Sequence, residues 1–148
     1  MYTFQSKTIL NSNIDNVFEF FCKSENLQKL TPSSLNFKIL SEIPNEMKKG
    51  ALIDYQIKLY GVPVKWKTKI TKWNPPFEFE DTQLKGPYKL WKHSHIFTDL
   101  GDKTEMTDIV KYNPKGWPFN SLLNHIFVRK EVEKIFSYRE ERILSIFT

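Results

Sequence analysis

Five turn signals cut the middle of this chain into short β-type stretches, and no other feature constrains the fold as tightly. They are Lys49-Gly50, Tyr60-Gly61-Val62-Pro63, Asn74-Pro75-Pro76, Gly86-Pro87 and Leu100-Gly101-Asp102. The stretches between them predict strands over Asn36–Ile43, Ala51–Leu59, Val64–Trp73, Phe77–Gln83, Lys89–Asp99 and Thr104–Tyr112. Links this short join antiparallel neighbours, so the pattern predicts a meander. Tyr2 to Leu10 reads as a further strand ahead of it.

Helical signals flank the β region. Ser12-Asn13-Ile14-Asp15 resembles a capping box with Asp in place of Glu, opening a helix through Val17, Phe18, Phe21 and Cys22. Ser24-Glu25-Asn26 predicts a second short helix, Glu25 to Leu30, ended at Thr31 because Pro32 biases its neighbour away from helix. Pro118 to Phe147 reads as one long helix, with Pro118 suited to its first turn. Its apolar stripe runs through Phe119, Leu122, Leu123, Ile126, Phe127, Val132, Ile135, Phe136 and Ile143. The charged residues from Arg129 to Arg142 mix both signs, which suits a solvated face and not a nucleic-acid helix. With no repeat and no linker, residues 1–148 are expected to form a single α+β domain.

Alternation then sorts side chains onto two sheet faces. In Trp91-Lys92-His93-Ser94-His95-Ile96-Phe97 it puts Trp91, His93, His95 and Phe97 on one face and Ser94 on the other. Pairing Asp99 with Thr104 sets Phe97 opposite Met106, His95 opposite Asp108, His93 opposite Val110 and Trp91 opposite Tyr112. A four-residue loop over 60–63 would set Leu59 opposite Val64, Ile57 opposite Trp66 and Tyr55 opposite Thr68. Pairing Ile70 with Phe77 would bring Trp66 to Asp81 inside, and Lys69 to Glu78 and Lys67 to Glu80 outside. The inner face thus gathers Tyr55, Ile57, Trp66, Phe79, Asp81, Trp91, His93, His95, Met106, Asp108, Val110 and Tyr112. A curved sheet around a helix too slender to fill it leaves a mostly apolar cavity with a few polar groups, the usual form of a ligand site.

Composition excludes several alternatives. No apolar run is long enough to span a bilayer, so no integral membrane association is expected. Met1 to Lys7 lacks the basic-then-apolar pattern of a signal peptide, and Cys22 as sole cysteine allows no internal disulfide. A cytoplasmic setting and a buried structural thiol are expected. The net charge of +5 permits an anionic partner, but the aromatics fall on inner faces, so no nucleic acid is expected. The lysine-rich outer face and the first loops leave a partner-binding role as an alternative. The sequence leaves oligomeric state open.

Several stretches carry a family likeness: Val17-Phe18-Glu19-Phe20, Asn26-Leu27-Gln28-Lys29-Leu30-Thr31-Pro32 and Asp81-Thr82-Gln83-Leu84-Lys85-Gly86-Pro87-Tyr88. They continue in Trp91 to Phe97 and in Met106-Thr107-Asp108-Ile109-Val110-Lys111-Tyr112. In this order they resemble the START-like or SRPBCC superfamily, and within it the small polyketide cyclase/dehydrase-like ligand-binding proteins. The chain departs from that pattern at Asn13, where relatives often carry proline. The resemblance implies a helix-grip fold: a seven-stranded curved antiparallel sheet around a long C-terminal helix, with two short helices after the first strand. It implies a cavity for lipids, polyketides or aromatic compounds, and it does not imply an activity.

The expected function is binding of a hydrophobic or aromatic small molecule between sheet and helix. Tyr55, Trp66, Phe79, Trp91, Met106, Tyr112, Leu123 and Phe127 would supply apolar wall, and Asp81, His93, His95 and Asp108 polar contacts. A hydrogen-bonded His95–Asp108 pair is expected at the polar end. The alternative function is a cyclase- or dehydratase-type enzyme in which that pair acts as general acid–base. His93 and His95 have a chelating H-x-H spacing that Asp108 could complete, but no cysteine joins them, and neither metal nor cofactor is expected.

Overall fold

Seven antiparallel strands form one sheet in the order β1-β7-β6-β5-β4-β3-β2. They are β1 (Tyr2–Leu10), β2 (Lys38–Ile39), β3 (Leu52–Leu59), β4 (Val62–Asn74), β5 (Glu78–Lys85), β6 (Tyr88–Asp99) and β7 (Thr104–Pro114). Helix α1 (Ile14–Phe21) follows β1, a 3-10 turn at Ser24–Asn26 runs into α2 (Leu27–Leu30), and α3 (Ser121–Ile146) closes the chain. This is the helix-grip architecture. The computed structural model describes residues 1–42, 47–59, 61–115 and 121–148, the last of these with side chains from residue 126 onward. The expected helix start at Pro118, the expected strand end at Ile43, and the side chains of Phe119, Leu122 and Leu123 lie outside the described residues.

The β6–β7 hairpin has the register that burial demands. Phe97 faces Met106, His95 faces Asp108, His93 faces Val110 and Trp91 faces Tyr112. A slip by one would carry Met106 and Val110, now 1% and 0% exposed, to the outer face. The strands before it depart from expectation. Pairing in the β3–β4 hairpin continues to Leu59 opposite Val62, so the link is residues 60 and 61 and not four residues. Gly61, at φ +77°, supplies the left-handed conformation that so short a link requires. Tyr55 therefore faces Trp66, and Ile57 faces Val64.

Between β4 and β5 a bulge after Ile70 shifts the register, so Ile70 faces Asp81 while Trp73 faces Phe79. The charges re-pair accordingly. Lys72, not Lys69, meets Glu78 (2.9 Å), Lys92 meets Glu80 (3.5 Å), and Lys67 meets Asp54 (3.9 Å).

Local chemistry also moves two helix features. The N-cap of α1 is Asn13, not Ser12: the Asn13 side-chain oxygen accepts from Asn16 N–H (2.9 Å). The Ser12 carbonyl instead accepts from the Thr104 hydroxyl (2.8 Å), tying the start of β7 to the β1–α1 corner. A 3-10 turn at Ser33–Leu35 ends with Asn36 in a left-handed conformation, which delays the start of β2, a strand of two residues, to Lys38.

Two helices cover different parts of the inner face. Helix α1 sets Phe18 against Trp73, Phe79 and Phe97, with ring centroids 5.2–5.9 Å apart. Helix α3 sets Val132 and Phe136 over Val110 and Tyr112, with Phe136 4.8 Å from Phe4. The cavity opens between these two contacts. Ile126 and Phe127 of α3 are about half exposed, so the buried stripe is narrower than the sequence pattern suggests.

Candidate functional site: a cavity with a buried charge cluster

The space under α3 has a volume of about 160 Å³. Its sheet wall carries Tyr55, Trp66, Thr68, Phe79, Asp81, Trp91, His93 and His95, its helix wall Ile135, Phe136 and Arg139, and the segment Phe21–Thr31 borders it. The rings interlock. Tyr55 stacks on Trp66 at 5.6 Å, and Trp91 meets Trp66 edge-on at 5.4 Å.

Next to these rings, two imidazoles stack with centroids 3.7 Å apart, and Phe79 lies over His95 at 4.0 Å. Each imidazole bonds the carboxylate diagonal to it. His93 Nε2 lies 2.6 Å from Asp108 Oδ1, and His95 Nε2 lies 2.7 Å from Asp81 Oδ2. The expected His95–Asp108 bond is not made: the Cα atoms face each other, but His95 Nδ1 is 3.6 Å from Asp108 Oδ1. Diagonal neighbours lie within reach of a side chain as long as histidine. Asp81 faces His93 in register yet bonds His95 by the same diagonal.

Electrostatics follow from burial. Burial, reinforced by the His93 charge, outweighs the pull of Asp81 and Asp108 and lowers His95 to about 4. Burial alone would raise the Asp108 carboxyl. The Arg139 charge, the His93 hydrogen bond and the charge of both imidazoles outweigh it and hold Asp108 far below the usual carboxylate range. Asp81 is lowered against burial by its bond to His95 and by the charges of His93, His95 and Arg139. Burial also pushes the Tyr55 phenol well above its ordinary value.

Of the residues expected in the site, Tyr55, Trp66, Phe79, Asp81, Trp91, His93 and His95 line the cavity. Met106, Asp108 and Tyr112 are buried but do not line it; Asp108 reaches it only through His93. Phe127 is about half exposed and is not among the residues lining the cavity. Leu123 lies outside the described side chains. Cys22 is partly exposed at the cavity border and donates to the Glu19 carbonyl (3.2 Å), so it is not the fully buried thiol expected.

Arg139 was missed by sequence reasoning. It follows Val132 and Phe136 and precedes Ile143 at spacings of four, three and four, inside the apolar stripe. A cation at a core-facing position was the available signal. It is 8% exposed, with its guanidinium 5.6 Å from the Phe21 ring centre and 5.9 Å from that of Phe136.

Asp81, His93 and His95 place ligand atoms within 4.8 Å of one another, a spacing a metal ion could bridge. A cation there would have to displace the 2.7 Å His95–Asp81 bond and sit in the field of Arg139, so the donor set suits a hydrogen-bonded cluster better.

Comparison with known proteins places the fold. No family model matches the sequence, and no curated protein matches it. Solved structures do match in shape. The aromatase/cyclase Zhui from Streptomyces sp. R1128 aligns with a TM-score of 0.79 at 12% identity, covering 97% of this chain and 92% of that one. A START superfamily protein from Mycobacterium smegmatis aligns with a TM-score of 0.72 at 10% identity, covering 99% of each. Major latex-like protein 151 from Panax ginseng aligns with a TM-score of 0.67 at 12% identity, covering 99% and 97%. The chain therefore has the helix-grip fold of START-like proteins. Among the described residues no helix is long and apolar enough to cross a membrane.

Proposed function

We propose that this protein binds a small hydrophobic or aromatic molecule in the cavity beneath α3. One observation carries the reading: among the described residues, the buried side-chain polar atoms without a hydrogen-bond partner, Ser24 Oγ, Trp66 Nε1, His95 Nδ1 and Arg139 Nε, all belong to residues that line this one space. Buried polar groups elsewhere in proteins are nearly always bonded, because leaving one unpaired costs about 1–3 kcal/mol. Their concentration on an aromatic-walled cavity suits a ligand with an apolar body and a polar end.

Volume narrows the class. A dry engineered cavity of about 150 Å³ accepts benzene, and this one measures about 160 Å³. A single-ring molecule fits that space better than a lipid or an extended polyketide.

Acid–base catalysis is the weaker reading for the same site. A general base works best with a pKa near the operating pH, and His95 at about 4 is far below neutrality. Native mass spectrometry of the purified protein, followed by NMR titration with toluene, tests binding. A co-purified small molecule, or saturable shifts of the Trp66 and Trp91 indole N–H signals, is expected. If toluene leaves both signals unmoved and no small molecule co-purifies, the cavity is not a ligand site.

A further inference from the structure

We propose that the ligand is a small aromatic acid, its ring against Trp66 and Trp91 and its carboxylate on the guanidinium of Arg139. The inference rests on the binding reading above and names the ligand's chemistry.

Arg139 is more than nine-tenths buried, and it lines the cavity. Its Nε has no hydrogen-bond partner, and among the described residues no carboxylate pairs with the guanidinium. A buried cation is ordinarily paired, since desolvation is otherwise uncompensated. Its ring contacts with Phe21 and Phe136 offset only part of that, and they leave its N–H groups free to donate. The nearby carboxylates are already engaged: Asp108 bonds His93 and Asp81 bonds His95. Both feel the Arg139 charge without contacting it.

A second observation points the same way. Trp66 Nε1 is also buried and unpartnered, and like the arginine Nε it can only donate. Two obligate donors on one cavity call for acceptor oxygens on the ligand. Guanidinium groups pair best with planar carboxylates, through two parallel hydrogen bonds. A ligand ending in an amine would meet repulsion from Arg139, and a hydrocarbon would leave both donors unpaired.

Phenylacetate and phenylacetamide test the proposal, because they share a ring and differ in charge. Both are titrated by NMR into the native protein, Arg139→Gln and Arg139→Lys. In the native protein phenylacetate should bind at least about tenfold more tightly than the amide, the size of one charge-assisted hydrogen bond. It should also shift the Arg139 Nε–H signal, a readout that needs no variant. Arg139→Gln should abolish the preference while keeping amide binding, and Arg139→Lys should restore part of it. Equal affinity for acid and amide in the native protein overturns this inference and leaves the binding reading standing. Binding of neither probe also overturns this inference, and the binding reading then falls only if toluene too leaves the indole signals unmoved and no small molecule co-purifies.

Discussion

The two covered parts of the inner sheet face are built from similar residues and finished differently. Under α1, Phe18, Phe97, Met106 and Leu10 close on one another in an all-apolar core, and Phe79 stands at its boundary with the cavity. Under α3, Tyr55, Trp66 and Trp91 form an equally aromatic wall, but beside it lie two imidazoles, two carboxylates and a guanidinium. The first part spends its aromatic surface on packing and the second leaves it facing a space. Helix α1 sets Phe18 directly on the sheet, whereas α3 presents Arg139 to the cavity. The first part is a packed core, and the proposed binding site lies in the second.

The sharpest way to break this contrast is to damage the packed part. Phe97 is 2% exposed and touches the rings of Phe18, Phe21 and Phe79. Phe97→Ala should cost about 3–5 kcal/mol in urea unfolding, while the folded fraction keeps its affinity for toluene. A matching loss of affinity would mean the two parts are one unit.

Acid should act on the other part. His95 has a folded pKa of about 4 against an ordinary 6.5. Between those values the unfolded chain holds a proton that the folded chain refuses. Unfolding free energy should therefore fall as the pH drops from about 6.5 to about 4, by on the order of 3 kcal/mol in full. Asp81 and Asp108, both lowered, add a further loss below the usual carboxylate range. Unfolding curves at several pH values check this, and His95→Gln should flatten the slope in that window. An unchanged slope would place the titrating group elsewhere.

The smallest effect is expected outside. Lys67 lies on the outer face, 3.9 Å from Asp54, with both side chains more than a third exposed. Lys67→Glu should change stability by at most about 1 kcal/mol and leave toluene binding unchanged. A large loss of binding would move the recognition surface to the outer face.

The difference between the two hairpin regions explains how far sequence reading reached. In β6–β7 a two-residue period and strongly contrasting faces left one register that buries Met106 and Val110, and the structure has it. In β3–β5 both the link at residues 60 and 61 and the bulge after Ile70 shift the pairing by amounts that hydrophobic alternation does not encode. The charges chosen as partners for Glu78 and Glu80 moved with it.

By itself the sequence determined the strand count, the inward row Trp91–His93–His95–Phe97, and the long helix that lies against it, because periodicity and turn chemistry are local properties. Tertiary structure decided which imidazole meets which carboxylate, since diagonal reach across strands depends on where neighbouring rings stack. It also decided that Arg139 faces inward. Burial of a charge is set by everything packed around it, and one helix turn of sequence does not contain that information.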